Sequence, residues 1–281
     1  MSEWAGPVLD NHLHLDPDRG RGLEAVEDFV RAGGTHLIVL NRPSWQHSGT
    51  VETPGDFRRG FDRTLSVVHE ATEMLPGRAW AMLGVHPALI SRLVEDEGMA
   101  PEAAAELMRA GLDVALEYVD GSTVLGLKSG RPHYPVADAV WEHSNAVLRH
   151  AFELAADRPC PVQLHTEPSE DLSELTEWAN DVGLARERVV KHYAGGTLRG
   201  PVPSVMSNRE DLLSAAETGS PFLMETDFLD DPDRPGAVLG PKTVPRRVDW
   251  LCEEGHRDAV RNAHVETPEL VYGLDLPATL E

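Results

Sequence analysis

The regular pattern of the chain begins with Val8-Leu9-Asp10-Asn11-His12-Leu13-His14-Leu15-Asp16, in which an apolar pair leads to two histidines separated by one residue. Residues i and i+2 of a β-strand point to the same face, so His12 and His14 should project side by side from a strand that ends before Pro17. Two imidazoles at that spacing can bind one metal ion. Because the chain contains 13 histidines, a chance pair is the alternative, and the positions of further ligands decide between the two.

Apolar runs alternate with helical patterns over the rest of the sequence. Such continuous runs are typical of parallel strands that are buried on both faces. Seven more strands are predicted, at residues 35–40, 79–85, 124–127, 161–164, 188–191, 202–206 and 221–226. Helices are predicted at residues 23–32, around 65–75, and at 101–118, 138–156, 171–180 and 243–254, with a further short element in the tail to Glu281. Ser207-x-x-Glu210 has the pattern of a capping box, which predicts one more helix that ends at Gly219.

This alternation predicts an α/β fold with one domain over residues 1–281, because no linker or change of composition divides it. The simplest architecture is a single (β/α)8 TIM barrel, in which each strand is followed by a helix. A doubly wound sheet is the alternative. That fold would need a glycine-rich phosphate-binding turn after the first strand, and residues 10–14 do not provide one.

Side chains that can bind metal ions stand where the predicted strands end. Besides His12 and His14 after the first strand, they are Lys128 after the fourth, His165 after the fifth, His192 after the sixth and Asp227 after the eighth. The carboxyl ends of barrel strands form the face that carries active sites. The six side chains therefore predict a metal site at the carboxyl ends of the strands.

This order of ligands resembles the amidohydrolase superfamily of metal-dependent hydrolases, and the resemblance covers the whole chain. Within the superfamily, four motifs look like the TatD-related, deoxyribonuclease-like branch: Leu9-Asp-Asn-His-Leu-His14, Gly84-Val-His-Pro87, Gln163-Leu-His165 and Glu225-Thr-Asp227. Lys128 is the departure. TatD proteins usually have a glutamate after the fourth strand, whereas phosphotriesterases and dihydroorotases have a lysine at that point.

The resemblance implies a site with two divalent metal ions. His12, His14 and Asp227 would hold the more buried ion, and His165 and His192 the more exposed one. Asp227 would also accept a proton from the attacking water, as a general base within hydrogen-bonding reach. Zn²⁺ suits a set of imidazoles and carboxylate-type oxygens, with Mn²⁺, Mg²⁺, Co²⁺ or Fe²⁺ as alternatives.

Lys128 takes the place of a bridging carboxylate. The resemblance implies that its Nζ is carboxylated by CO2, so that the carbamate bridges the two ions. A bare ammonium beside two divalent cations would be strongly repelled, whereas a carbamate supplies anionic oxygens. The alternative is an unmodified ammonium with one metal ion or none.

Three further residues are predicted to contact a substrate: His86, Arg131 and Glu167. His86 ends the third strand, and a structural role is the alternative. Arg131 could bind a phosphate or carboxylate, although a loop arginine held in solvent is the competing interpretation. Glu225 is interpreted as a residue that supports a ligand or packs. The acidic run Asp230-Asp-Pro-Asp233 is interpreted as solvated.

The composition is strongly acidic, with 47 acidic residues against 25 basic ones and a net charge of −22. Only three of the basic residues are lysines. An acidic, lysine-poor surface indicates a halophilic protein, because salt screening weakens its self-repulsion. Disorder is the alternative, and the regular apolar periodicity argues against it. The charge disfavours nonspecific attraction to nucleic acid in dilute salt.

The sequence also bears on localisation and function. No apolar run approaches the roughly 18 residues of a membrane span, and residues 1–4 lack the features of a signal peptide, so a cytoplasmic protein is expected. The leading hypothesis is a metal-dependent hydrolase that attacks an ester, phosphoester or amide bond of a small molecule. The TatD resemblance implies a 3′-exodeoxyribonuclease, whose partner would be a nucleic-acid 3′ end. A noncatalytic metal-binding barrel is the alternative of another class.

Overall fold

The computed structural model describes residues 4–234 and 238–277 of the chain. Its strands form one parallel sheet of nine in the described residues. The strands are β1 (Leu9–His14), β2 (His36–Leu40), β3 (Ala79–Gly84), β4 (Val124–Gly130), β5 (Val162–His165), β6 (Val189–Ala194), β7 (Val202–Met206), β8 (Leu223–Glu225) and β9 (Phe228–Leu229). Each predicted strand lies at its predicted place, and the eighth is divided into β8 and β9.

The division of the eighth strand occurs at Thr226 and Asp227. Asp227 has a positive φ of 47°, a left-handed conformation that interrupts an extended strand. β8 pairs with β7, whereas β9 pairs with β1, where Leu13 lies opposite Phe228. The sheet order therefore runs from β8 through β7 down to β1 and ends on β9, only two residues after β8. This curled parallel sheet is consistent with a TIM-like barrel.

Helices connect most of the strands. They are α1 (Leu23–Arg31), α2 (Trp45–Ser48), α3 (Gly55–Met74), α4 (Leu89–Ser91), α5 (Pro101–Tyr118), α6 (Asp138–Asp157), α7 (Ser173–Asp181), α8 (Arg209–Thr218), α9 (Thr243–Glu253), α10 (Arg257–Arg261) and α11 (Thr267–Tyr272). The predicted tail element corresponds to α10 and α11, and residues 278–281 lie outside the described part. No helix among the described residues combines the length and apolar character that crossing a membrane requires.

The predicted capping box before α8 is wrong. Asn208 is the N-cap, and its side-chain oxygen accepts a hydrogen bond from the Asp211 amide at 2.9 Å. Asparagine is among the best N-cap residues because its short side chain reaches the free amides of the first turn. The helix therefore begins one residue later than Ser207 predicts. Gly219 ends it with a positive φ of 64°, as expected.

Apolar side chains pack in layers on both faces of the sheet. One layer joins the strands to the surrounding helices and contains Phe29, Phe57, Phe61 and Phe152. A second cluster brings Leu9, Leu40, Met82, Val190 and Leu223 from different strands into contact with one another, and Val271 and Tyr272 of α11 pack against them. The last helix thus contributes to the core that lies among the strands.

A β-bulge interrupts β1 between Asp10 and Leu13, in the segment that carries His12. Asp10 lies opposite Leu37 and Leu13 opposite Val39, so β1 contains one residue more than β2 over this stretch. A bulge breaks the simple alternation of faces. As a result Asn11 and His12, although adjacent, both hydrogen-bond to side chains of other strands, Asn11 to Ser204 and His12 to Gln163.

Two buried histidines outside the metal-binding motif should make the stability depend on pH. His264 is fully buried and its Nδ1 accepts a hydrogen bond from the Leu9 amide at 3.0 Å. Burial lowers the pKa of His264 to about 3 and that of His36 to about 4. Below pH 6.5 the unfolded chain binds protons that these folded rings do not, so the free energy of unfolding falls as the pH is lowered towards their folded pKa values.

We expect His264→Asn to remove about 2 kcal/mol of the loss in unfolding free energy between pH 7 and pH 5, because asparagine keeps an acceptor but does not titrate. Urea unfolding of both proteins at the two pH values measures the difference. His69→Asn makes the same substitution at an exposed position of α3 and is the control. Equal pH dependence in His264→Asn and the parent protein would contradict the expectation.

Candidate metal centre

Three predicted ligands meet at the carboxyl end of β1. The Nε2 atoms of His12 and His14 lie 3.7 and 3.9 Å from Oδ1 of Asp227. The three ligand atoms are all within 4.8 Å of one another. Both histidines are buried, and the Asp227 side chain remains 18% exposed. Two imidazoles and a carboxylate in this arrangement are a common set of protein ligands for a divalent metal ion.

Lys128 reaches the same group from β4. Its Nζ lies 3.4 Å from Nε2 of His12, and the side chain is buried. Burial lowers the pKa of the Lys128 amine to about 8, although the carboxylates of Asp227 and Glu225 oppose the shift. Among the described residues, none of the carboxylates forms an ion pair with this amine.

The other two predicted ligands lie beside His12. Nδ1 of His165 is 2.8 Å from Nε2 of His192, and the ring of His192 stacks on that of His12 with centroids 3.8 Å apart. The structure therefore brings His12, His14, Lys128, His165, His192 and Asp227 into one connected group. His12 and His14 belong to β1 and Lys128 to β4. His165 belongs to β5, His192 to β6, and Asp227 lies between β8 and β9.

The Nδ1 atoms of three of the histidines face hydrogen-bond acceptors, an arrangement that is usual for metal-binding histidines. The Nδ1 atoms of His12, His14 and His192 lie 2.7 Å from Gln163 Oε1, 3.1 Å from the Leu40 carbonyl and 3.0 Å from Glu225 Oε1. A ring whose Nδ1–H donates to such an acceptor has its Nε2 lone pair free. Burial also lowers the pKa of each ring well below 6.5, which favours the neutral form that binds metals. The donor set and its tautomers thus fit a divalent cation.

Glu225 supports His192. Its Oε1 accepts hydrogen bonds from the Tyr193 amide at 2.7 Å and from His192, and its Oε2 accepts from the Ser204 hydroxyl. Burial, with a contribution from Asp227, raises the pKa of Glu225, while the donors from Ser204 and Tyr193 oppose that shift. Glu225 lies close enough to His12 and His192 to complete a second ligand group, but both of its oxygens are already engaged by donors. This favours the interpretation of Glu225 as a supporting residue.

Asp10 is a site residue that the sequence pattern does not reveal. It is completely buried, and its carboxylate accepts hydrogen bonds from the Thr226 amide at 3.0 Å and the Thr226 hydroxyl at 2.6 Å. Burial raises the pKa of Asp10 to about 7, and that of Asp227 to about 6. Asp10 thereby ties β1 to the turn that presents Asp227. The available signal is an aspartate directly after the apolar pair Val8-Leu9 of the first strand.

The predicted substrate residues have different surroundings. His86 lies beside the site, with its ring centroid 4.7 Å from that of His165. Arg131 pairs with Glu167, donates to Glu174 at 2.9 Å, and is 4% exposed. Its guanidinium also lies 4.6 Å from the Trp141 ring. The interpretation of Arg131 as a solvated loop arginine is therefore wrong, and its binding of a substrate stays a prediction.

His133 and Asp230 lie in surroundings that the sequence does not predict. His133, in the loop after β4, is exposed and its Nδ1 lies 2.9 Å from Nε2 of His165. Its nearness to Lys128 in the sequence was the signal. Asp230 was interpreted as solvated, which is wrong, since it is 2% exposed. Its carboxylate accepts hydrogen bonds from the amides of Asp16, Arg21 and Gly22 at 2.7–2.9 Å, so it fixes the loop after β1.

The chain matches known proteins over nearly its whole length. Residues 9–273 match the model of the family described as TatD related DNase. The uncharacterized protein MJ1127 of Methanocaldococcus jannaschii is 38% identical over 284 aligned residues, which cover 96% of this chain and 97% of that relative.

Solved structures share the fold. The organophosphorus hydrolase from Deinococcus radiodurans matches with a TM-score of 0.60 and 14% identity, over 96% of this chain and 93% of that one. The lactonase Lmo2620 from Listeria monocytogenes matches with a TM-score of 0.57 and 13% identity, over 96% and 95%. At these identities the likeness concerns the fold alone.

Proposed function

Because the chain belongs to the TatD-related DNase family, we propose that it is a metal-dependent hydrolase that cleaves an ester, phosphoester or amide bond at a dinuclear site. The observation that carries the proposal is the meeting of His12, His14 and Asp227 at the carboxyl end of β1, with both Nε2 atoms directed at the carboxylate. The proposed architecture is a single (β/α)8 barrel whose eighth strand is divided at Asp227.

The six connected side chains are the proposed ligands. His12, His14 and Asp227 would hold one ion and His165 and His192 the other, with Zn²⁺ as the metal that suits this set best. Two such ions, when bound, would lower the pKa of a water and polarise the bond under attack. Asp227 would accept the proton of that water on its carboxylate, and the partial exposure of this side chain gives a water access to it. His86 and His133, on either side of His165, would contact the substrate.

Lys128 is the proposed bridge between the ions after carboxylation. In that reaction the neutral Nζ amine forms a bond to the carbon of CO2, one C=O bond becomes C–O⁻, and a proton leaves to solvent. The support is positional: the amine is buried against His12 and has no ion-pair partner in the part of the chain that the structure describes. A carbamate there supplies the anionic oxygens that the family's glutamate would supply.

We expect Lys128→Ala to bind less than two metal ions per chain and to lose about a hundredfold in kcat, since removing a tightly held ligand or its support weakens a metal site by 10–100-fold. A short-chain carboxylate such as propionate should restore part of the activity by occupying the space of the carbamate. In the parent protein, ¹³CO2 should give a carbamate signal in the ¹³C spectrum. Full activity and metal content in Lys128→Ala would contradict the bridging role.

Two substrate classes compete. The family description favours a phosphodiester at a nucleic-acid 3′ end, as in a 3′-exodeoxyribonuclease. Lys128 favours small uncharged esters instead, because the lysine is the feature shared with phosphotriesterases. The net charge of −22 also disfavours a polyanionic substrate in dilute salt. We therefore place small-molecule esters and lactones before DNA.

The test is metal analysis combined with an activity screen on single-stranded DNA, a p-nitrophenyl phosphodiester, a phosphotriester and a lactone. The acidic composition calls for assays in both dilute and molar KCl. Hydrolysis that is lost with a chelator and restored by a divalent cation is the expected result. Less than one metal ion per chain, with no cation restoring hydrolysis of any substrate, would overturn the proposal and leave a noncatalytic barrel.

A further inference from the structure

A buried chain of hydrogen bonds connects His12 to His192 through five other side chains. We call these five, Gln163, Tyr272, Asn11, Ser204 and Glu225, the buried relay. Its links are His12 Nδ1 to Gln163 Oε1 (2.7 Å), Gln163 Nε2 to the Tyr272 hydroxyl (2.9 Å), that hydroxyl to Asn11 Oδ1 (2.7 Å), Asn11 Nδ2 to Ser204 Oγ (2.9 Å), Ser204 to Glu225, and Glu225 Oε1 to His192 Nδ1 (3.0 Å). All five side chains are buried.

One neighbour of the relay can only accept a hydrogen bond, and it sets the orientation of Gln163. The backbone carbonyl of Asn11 lies 3.1 Å from the Gln163 side-chain nitrogen, and a carbonyl only accepts. The Gln163 NH2 group must therefore face Asn11, which turns Gln163 Oε1 towards His12. Because that oxygen also only accepts, the proton of His12 is on Nδ1. The lone pair of His12 is then on Nε2, the atom nearest Asp227 and Lys128.

The Asn11 carbonyl also sets the direction of the hydrogen bonds that lead from Gln163 to His192. The Gln163 NH2 group donates to the Tyr272 oxygen, so the Tyr272 hydroxyl donates to Asn11 Oδ1. The Asn11 NH2 group then faces Ser204, and the Ser204 hydroxyl must donate to Glu225. Glu225 consequently accepts at both oxygens. A carboxylate in that state accepts a hydrogen bond from Nδ1–H of His192, which leaves the lone pair of His192 on Nε2, facing Nδ1 of His165.

We propose that the backbone carbonyl of Asn11, acting through the buried relay, holds His12 and His192 in the same tautomer, with the proton on Nδ1 and the lone pair on Nε2. Gln163, Tyr272 and Ser204 are then positioning residues for the metal site, and Tyr272 acts from the last helix without touching a ligand. The β1 bulge permits this, since Asn11 and His12 both join the relay although they are neighbours. The inference rests on the proposed metal site, and it identifies the relay as a determinant of the affinity of that site for a metal ion.

The first test is the tautomer itself, measured on zinc-free protein from the ¹⁵N shifts of the imidazole nitrogens at pH 8. Both rings should show a single form with Nδ1 protonated. In Gln163→Leu, which disconnects the relay from the Asn11 carbonyl, both His12 and His192 should populate both tautomers. Protonation of Nε2 in either ring of the parent protein would overturn the proposal.

The second test is the affinity for Zn²⁺, measured by competition with a chromophoric chelator. Tyr272→Phe should weaken binding about tenfold, the size of effect that outer partners of metal ligands usually have. Tyr118→Phe is the matched control, because it removes a hydroxyl bonded to Asp62 on α3 and should leave the affinity unchanged. A purely structural Tyr272 would lower the melting temperature of the zinc-free protein and leave the Zn²⁺ affinity within twofold, which would overturn the proposal.

The two proposals can fail separately. If the parent protein bound no divalent cation, the hydrolase proposal would fail, while the spectrum of the metal-free protein would still decide the tautomers. If Tyr272→Phe does not fold, Ser204→Ala provides the same comparison, since it cuts the relay between Asn11 and Glu225. An unchanged Zn²⁺ affinity in Ser204→Ala would then overturn the positioning role.

Discussion

Asp227→Asn is expected to lower kcat roughly a thousandfold on whichever substrate the screen identifies, because an amide cannot accept the proton of a water. It also removes a negative charge from the group of ligands, so the metal content should fall. The fold should survive. Asparagine is one of the few residues that readily adopts the positive φ of 47° found at this position. The backbone N–H of residue 227, which donates to the His12 carbonyl at 2.9 Å, is also retained.

The control for this variant comes from the same segment. Asp233→Asn makes the identical chemical change at an exposed position and should leave kcat and metal content unchanged. Circular dichroism and the unfolding midpoint show whether both proteins are folded. If Asp227→Asn kept the parent kcat with its metal content intact, Asp227 would be neither the base nor a needed ligand.

Asp230→Ala is expected to lower the free energy of unfolding by about 4 kcal/mol, because each buried donor left without a partner costs about 1–3 kcal/mol. The donors are the buried amides of Asp16 and Gly22 and the partly buried amide of Arg21, which the Asp230 carboxylate now binds.

Urea unfolding in the presence of a chelator measures this effect without a contribution from bound metal. Asp233→Ala, which removes an exposed carboxylate three residues away, is the matched control and should change the unfolding free energy by less than about 0.5 kcal/mol. A loss of under about 1 kcal/mol in Asp230→Ala would mean that water replaces the carboxylate at the three amides.

Local sequence pattern predicts the strands and places the candidate ligands at their carboxyl ends. Apolar runs mark the strands because both faces of a parallel sheet are buried, and a polar residue directly after such a run lies at the carboxyl end. His165 and His192 could be found in this way, and so could Lys128. These predictions depend on local pattern alone.

Other features depend on partners that are distant in the sequence. No local pattern distinguishes Asp230, which binds three amides, from Asp233, which is exposed. The bulge at Asn11 depends on its pairing with β2, and the division at Asp227 depends on contacts with β1. Tyr272 joins the relay from a helix more than two hundred residues away from Asn11. Such residues are recognised only when the three-dimensional contacts are known.

The contacts between β1 and the segment around Asp227 have a consequence for folding kinetics. Asp10 binds Thr226 across 216 residues of sequence, and Asp16 binds Asp230 across 214. Contacts between such distant parts of a chain close the largest loops and tend to slow the search for the native state. A chain that has not yet made them cannot bring Asp227 to His12 and His14. Assembly of these three proposed ligands should therefore coincide with a late step on the folding pathway.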